Sequence, residues 1–351
     1  MQHGSVAASG FPAFVCPRCR GGLRHEPDAF HCAPCAATYP VVLGIADFRL
    51  FADPWIGIEE DREKGRRLEA ETAGQDFAAT VRAYWAMTPG TPRALAERFT
   101  ERVLAAEERA EDWLDWMADE DPVTRQGVWL DVGCGTADLA AAITRRGGSV
   151  IAVDIAFRWL VVARKRPSLD SARTLLVCAN GEHLPFGNSV VERVVTAGTL
   201  EHCADASRVV SEARRVLVPS GAVRLRTVNR YSLLREPHVG LWGVGFVPRR
   251  WADAFVSWRS GQRYLHHHPL SQREIRRDLL RAGFGAVRVE ASPLLAADRR
   301  HLRGALQWAG RAYAAVRRWP LLGTGLAWIA PELEARGVTP SPDRPHSATL
   351  T

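Results

Sequence analysis

Gly127-Val-Trp-Leu-Asp131-Val-Gly133-Cys-Gly135-Thr-Ala-Asp-Leu139 is the stretch that decides how this chain folds. Val128 to Val132 is an apolar run that ends by an acid and then breaks into glycines, and Leu139 to Arg145 has helical spacing. Strand, glycine-rich turn and helix, in that order, open a doubly wound α/β sheet. Gly133 and Gly135 allow the backbone to approach a ligand with no Cβ in the way. Gly148 to Asp154 reads as the next strand, again ending in an acid. Asp154 lies 19 residues after Gly135, close to the spacing expected of a carboxylate that accepts from ribose hydroxyls. Taken alone, Asp131 also reads as a helix cap and Asp154 as a turn residue, alternatives that the full set of motifs displaces.

Working outward, two details narrow the ligand. A carboxylate at Asp131 sits badly beside a pyrophosphate but well near the cationic amino-acid end of S-adenosylmethionine. Asn180-Gly-Glu-His-Leu-Pro-Phe186 follows the strand Thr174 to Cys178, where a polar side chain and the next backbone N–H read an adenine edge. The segments DVGCGTADL, AVD, ANGEHLPF, GTLEH and EARRVLVPSGAVRLRTVN follow one another over about residues 127 to 230. In that order they resemble the UbiE-like class I S-adenosylmethionine-dependent methyltransferases (methyltransferase type 11). The resemblance implies an α/β fold: a Rossmann-like seven-stranded sheet with helices on both faces. It also implies S-adenosylmethionine as cofactor, held by Asp131, Gly133, Cys134, Gly135, Asp154, Ile155, Asn180, Gly181, Glu182 and Thr196. Three positions depart from the pattern. Ala137 stands for the third glycine, Asn180 for an acid, and Pro219-Ser220-Gly221 for Pro-Gly-Gly.

Methyl transfer from a sulfonium is an in-line displacement, so the protein mainly positions and desolvates. An oxygen or nitrogen acceptor needs a proton removed, and a base near neutral pKa helps. His202, in the Thr199-Leu-Glu-His loop after the strand Val190 to Ala197, is one candidate. That loop is expected at the carboxyl end of the sheet, beside the methyl group; the competing reading makes the Glu-His pair structural. His238 is the second candidate. It lies in an insertion, residues 230–268, that interrupts strand–helix alternation after the strand Ala222 to Val228. Its glycines and aromatics suit a lid over an acceptor pocket, with Trp242, Phe246 and Trp251 facing substrate or packing the lid down. His266 to His268 suggest metal by composition, but three adjacent residues cannot all face one ion.

Toward the N-terminus, Cys16-Pro-Arg-Cys19 and Cys32-Ala-Pro-Cys35 are two knuckles 12 residues apart. Four thiolates aimed at one point make a tetrahedral zinc site with no open position, hence structural Zn2+. Binding it would fold a module too small for a core of its own. His25 and His31 read as exposed bystanders. Tyr39 to Arg49 reads as strand, glycine turn and strand. Residues 14–50 resemble the short zinc ribbons found alone as tRNA-methyltransferase activators or fused to methyltransferases.

Residues 51–125 are expected to be a helical connector covering the cofactor. Within it, 57–74 reads as a charged, solvated helix or linker, and 93–119 as one amphipathic helix started by Thr91-Pro92. Tyr84 and Trp85 read as core aromatics rather than a cofactor cover. The methyltransferase domain is expected over 126–336. Beyond the insertion come a helix from Ser271 to Ala282, a strand from Ala286 to Glu290, a basic helix from Arg303 to Arg318 and a last strand from Leu326 to Glu334. Residues 337–351, rich in Pro, Ser and Thr, read as a disordered tail.

The whole chain has 351 residues, 46% of them hydrophobic, enough for a large core and a small accessory module. It has no apolar run of about 18 residues, so no membrane span, and Met1 to Gly10 lack a secretory pattern. A cytoplasmic location is the expectation. Net charge is +7, yet all but Lys64 and Lys165 of the 46 basic residues are arginine, a skew that speaks of coding bias as much as of anionic partners. Clustered cysteines point to metal rather than disulfides, and Cys134, Cys178 and Cys203 read as small buried hydrophobes. The favoured function is methylation of a small-molecule acceptor at O, N or C. An RNA methyltransferase is the alternative that the basic charge supports, although the ribbon has no basic-aromatic stripe. A non-enzymatic cofactor-binding scaffold with a protein-binding ribbon is the third.

Overall fold

A computed structural model describes residues 10–88, 90–120, 127–300 and 302–341. The chain divides into two compact units. One holds the residues up to Gly187 together with Leu294–Gly310, the other Asn188–Pro293 and the residues from Arg311 onward.

The first unit begins with four short strands: β1 (Leu23–Glu26), β2 (Ala29–Cys32), β3 (Thr38–Val42) and β4 (Ile45–Asp47). Helices α1 (Ile58–Glu71), α2 (Phe77–Ala86), α3 (Arg93–Leu104) and α4 (Ala106–Glu120) follow. Then come β5 (Val128–Val132), α5 (Asp138–Arg145), β6 (Ser149–Asp154), α6 (Phe157–Arg164) and β7 (Thr174–Cys178). These strands form one run in the order β1-β2-β3-β4-β7-β6-β5. β5, β6 and β7 are parallel and nearly wholly buried, as continuous apolar runs between two helical layers must be.

The ribbon is therefore not a tethered module in front of this unit. β4 pairs in parallel with β7, Ala46 opposite Val177 and Asp47 opposite Cys178, and Phe48 N–H donates to Cys178 O at 2.7 Å. Phe14, Phe30, Tyr39, Phe48 and Phe186 interlock with ring centroids 4.8–5.8 Å apart. A ribbon too small for its own core thus shares the core of the α/β layer. α1 is likewise less solvated than its charge pattern predicts. Asp61, Gly65 and Leu68 are buried, and a Cβ on Gly65 would stand 2.6 Å from the Phe157 ring. The expected helix over 93–119 breaks at Ala105 into α3 and α4, with neither glycine nor proline to announce it.

The second unit carries β8 (Val191–Ala197), a 3-10 turn at Leu200–His202, α7 (Ala206–Val216) and β9 (Leu217–Val228). After a second 3-10 turn (Val244–Phe246) come α8 (Arg249–Ser260), α9 (Gln272–Arg281) and β10 (Gly285–Ala291). The chain re-enters the first unit with α10 (Ala296–Arg300), and α11 (Ala305–Arg318) returns it to the second, which closes with α12 (Pro320–Leu326) and β11 (Glu332–Val338). The order is β8-β9-β11-β10, with β8 and β9 parallel and β11 antiparallel to both neighbours. The first unit thus holds three of the expected α/β strands, β5, β6 and β7, and the second holds four more.

The C-terminal reading needs correcting. The last strand is Glu332–Val338 rather than 326–334, so 337 and 338 belong to a strand rather than a tail; 342–351 lie outside the described residues. Trp319-Pro320 starts α12 with proline at its first position. The expected strand overlaps β11 only at 332–334, because Glu332, Glu334 and Arg336 break the apolar pattern of its second half, although Leu333, Glu334 and Ala335 are buried. Arg226 neutralises Glu332 at 2.6 Å.

Residues 230–268 pack around a small core of their own, Val244, Ala252, Val256 and Tyr264, flanked by Val239, Leu241 and Phe255. Trp242, Phe246 and Trp251 take no part in it and are about half exposed or more.

Candidate functional site

Gly133 and Gly135 adopt φ of +78° and +52°, which only glycine takes without strain. A Cβ on Gly135 would meet nothing within 4 Å, so open space lies over the loop. Three successive amides turn into the sheet. Gly133 and Cys134 N–H donate to Val153 O at 2.7 and 3.0 Å, and Gly135 N–H donates to Asp154 Oδ2 at 2.7 Å. A pyrophosphate cradle needs such amides pointing outward; here they are spent on β6. Asp154 Oδ1 accepts from Ala156 N–H at 2.8 Å. Both carboxylate oxygens keep lone pairs for further donors.

Asp131 is buried, and its Oδ2 has no hydrogen-bond partner. Burial, with the charges of Asp138 and Asp154, holds its carboxyl well above the usual range. An orphaned carboxylate oxygen beside amides that are already satisfied suits a cationic ligand and not an anionic one. These residues fit S-adenosylmethionine. Ala137, in the place of the third glycine, sits at φ +57° and is fully buried. Ile155 offers its carbonyl to Arg49 Nη1 at 3.1 Å. Cys134 and Glu182 are buried, and Thr196, on β8 of the second unit, is buried with no partner for its hydroxyl.

Asn180 departs from its expected role. Its Oδ1 accepts from Leu50 N–H at 2.7 Å and Phe51 N–H at 3.3 Å, and its Nδ2 donates to Phe51 O at 3.1 Å. The side chain is fully buried. Expected to read an adenine edge, it instead clasps the chain leaving the ribbon and satisfies backbone groups of Leu50 and Phe51.

The four ribbon sulfurs converge, with Cys16 and Cys35 3.6 Å apart and Cys19 and Cys32 3.4 Å apart. Sulfurs about 2.3 Å from a tetrahedral ion lie about 3.8 Å apart, so these residues fit Zn2+. Arg20 and Ala36, each just after the second cysteine of a knuckle, take left-handed φ of 65° and 54°, and so turn the chain back. Burial raises the Cys16 thiol, but the Tyr39 hydroxyl and the backbone N–H groups of Cys19 and Arg18 outweigh it and bring it down to about 6. His25 stacks on Phe30 and His31 bonds Glu26 and Thr38; neither joins the sulfurs.

Behind the ribbon lies a buried charge network that the sequence did not reveal. Arg49 pairs with Asp47 and Asp61, each at 2.6 Å, and Arg158 with Asp61 at 2.9 Å and Asp53 at 2.8 Å. Asp61 also accepts from Phe157 N–H at 2.8 Å and so caps α6. Tyr84 and Trp85 pack with Phe99 and Trp159 as core aromatics.

In the second unit, His202 and His238 come together with His267 from the 266–268 run, their ligand atoms all within 4.8 Å of one another. The run does not face one point, as expected, but its middle member joins two histidines from other loops. Glu236 accepts from His238 Nδ1 at 2.5 Å. Burial raises the Glu236 carboxyl, and the bonds and charge of His238 outweigh it, leaving it below the usual range. Burial, then the neighbouring His238 and His202, push His267 down to about 4. Glu201 is the structural half of the Glu-His pair: its carboxylate takes the Thr227 hydroxyl at 2.6 Å and its carbonyl the His268 N–H at 2.6 Å.

Residues 130–225 match the family model described as a methyltransferase domain. The mitochondrial 2-methoxy-6-polyprenyl-1,4-benzoquinol methylase of Caenorhabditis elegans is 27% identical over 188 residues, covering 51% of this chain and 65% of that one. The ubiquinone/menaquinone biosynthesis C-methyltransferase UbiE of Acidiphilium cryptum is 40% identical over 96 residues, 26% of this chain and 38% of that one. The chain thus spans less than two-thirds of the length of either relative. Among solved structures, a SAM-dependent methyltransferase from Thermotoga maritima is 17% identical with a TM-score of 0.43, covering 69% of this chain and 97% of that one. No described helix is long and apolar enough to cross a membrane.

Proposed function

Taking residues 130–225 as a methyltransferase domain, we propose that this chain transfers a methyl group from S-adenosylmethionine to a small-molecule acceptor. The observation that carries the reading is the pairing of an orphaned Asp131 carboxylate with a glycine loop whose amides are spent on β6. That pairing repels a phosphate and welcomes a cation. S-adenosylmethionine supplies the activated methyl on a sulfonium. Asp131 faces its cationic end, Asp154 holds the ribose hydroxyls, and Gly133 to Gly135 let the ligand lie close to the backbone. Cys134, Ile155, Gly181, Glu182 and Thr196 complete the assigned cofactor residues. Asn180 supports them from behind. His202 and His238 are assigned to the acceptor's proton, and residues 230–268 to the acceptor's cover. Cys16, Cys19, Cys32 and Cys35 hold a structural Zn2+.

The small-molecule assignment draws on the relatives, one named a benzoquinol methylase and the other a C-methyltransferase of ubiquinone/menaquinone biosynthesis. Calorimetry with S-adenosylmethionine tests the cofactor half: no heat at high micromolar ligand sinks it, and a D154A variant that binds like wild type refutes the ribose role. Metabolite extracts and RNA, each incubated with methyl-labelled cofactor, test the acceptor half. Label in small molecules is expected, and label in RNA alone overturns it.

A further inference from the structure

His202 follows β8, His238 follows β9 and His267 follows α8, so three separate loops of the second unit deliver one imidazole each to one place. The Nε2 atoms of His202 and His238 face each other at 3.3 Å. Two imidazole nitrogens about 2.05 Å from a tetrahedral ion lie about 3.3 Å apart. His267 stacks on His238 with ring centroids 4.2 Å apart and planes 20° apart, and stands 5.2 Å from the His202 ring.

The carboxylate behind His238 settles its tautomer. Glu236 accepts at Nδ1, so a neutral His238 carries its proton there and turns the Nε2 lone pair toward His202. Carboxylate–histidine pairs of this kind orient metal ligands and raise their basicity. Glu236 is itself fixed, by the His238 and Val239 N–H groups at 2.9 and 3.0 Å. His267, alone of the three, also lines a cavity of about 240 Å³ with Arg230, Val244, Arg249, Ala252 and Tyr264.

We propose that His202, His238 and His267 bind a divalent transition-metal ion, Zn2+ by the chemistry of three imidazoles, with Glu236 as the supporting carboxylate. Three protein ligands leave the fourth position open to water or to an acidic heteroatom of the acceptor. The site needs only the second unit and does not rest on the methyl-transfer reading. Its role toward an acceptor does rest on it: a hydroxyl or thiol bound to the ion loses its proton to solvent more readily, so His202 and His238 serve the acceptor's proton through the ion they hold.

Zinc content of the full-length protein, after equilibration with excess zinc and desalting, tests this. Two equivalents are expected in wild type, and one in H238A, H267A and the milder H267Q. E236Q should keep both sites when saturated, with zinc affinity at the second reduced about 10- to 100-fold. Cobalt titrated into protein holding one zinc should give ligand-field bands without thiolate charge transfer. One equivalent in wild type, or a second that survives in H238A and H267Q, overturns the proposal. Variants that lose both zincs have misfolded, and the cobalt spectrum of wild type then decides. Failure of S-adenosylmethionine to bind leaves this result untouched.

Discussion

Asn180 Oδ1 accepts the N–H of Leu50 at 2.7 Å across 130 residues of sequence. One buried amide thereby fastens the exit of the ribbon to the loop after β7. Replacing it by alanine strands two N–H groups and a carbonyl. N180A should cost about 2 kcal/mol in urea unfolding, with weaker cofactor binding as a consequence of the loosened loop. A variant of wild-type stability whose cofactor affinity alone falls would restore the adenine reading.

The ribbon should also be thermally inseparable from the first unit. β4 is a strand of the larger sheet, so unfolding the ribbon exposes the edge of β7 and the buried faces of Phe48 and Phe186. C19S, which removes one zinc ligand, should lower the melting temperature of the first unit by about 10 °C or more, at about 2–4 °C per kcal/mol. Calorimetry showing a small separate ribbon transition, with the main peak unmoved, would mean the module folds on its own.

What could be read from sequence follows from how each element is stabilised. β5, β6 and β7 are buried on both faces, so their apolar runs announced them. The cysteine knuckles carry their spacing in a few residues. Ligation by His267 could not be read, because its partners arrive from loops far off in sequence. Asn180 was misread for the same reason: its partners belong to a different module. Asp61 falls in the segment read as solvated, and Arg49 and Arg158 carried no assignment, because only the folded chain brings the three together and buries them.

That network sets a pH dependence. Burial alone would raise the Asp47 carboxyl, but the bonds and charges of Arg49 and Arg62 outweigh it and hold it below the usual range. A carboxyl lowered on folding contributes stability above its unfolded pKa of about 3.9. That contribution is lost as pH falls through the folded value. Stability of the first unit should therefore hold down to about pH 4 and decline below it, and D47N should flatten the decline. Removing one partner leaves Arg49 with less compensation, so D47N should also cost about 3–5 kcal/mol at neutral pH. Urea titrations across pH, wild type against D47N, would show parallel curves if the pair were unimportant.

Ala137 carries strain where a glycine would carry none. Its φ of +57° costs an alanine about 1–2 kcal/mol. A137G should stabilise the protein by about 1 kcal/mol after the entropy of the more flexible unfolded chain is deducted. A lower melting temperature for A137G would indicate that burial of this Cβ outweighs the backbone term.

Asp131 should make cofactor binding release a proton. In the free protein, burial holds its carboxyl well above the usual range, and Asp138 and Asp154 add to the effect. A cation placed beside it favours the ionised form, so its pKa falls on binding and the proton leaves. Affinity for S-adenosylmethionine should therefore rise with pH from the ordinary carboxylate range up to the raised value, and then level off. Calorimetry across a pH series, in two buffers of different protonation enthalpy at each pH, reads the released proton directly. D131N has no proton to release, so its binding heat should lose this buffer dependence, and its affinity should fall about tenfold, or about 1.4 kcal/mol. Equal buffer dependence in both proteins would place the proton elsewhere, and unchanged affinity in D131N would remove the carboxylate from the cofactor's surroundings.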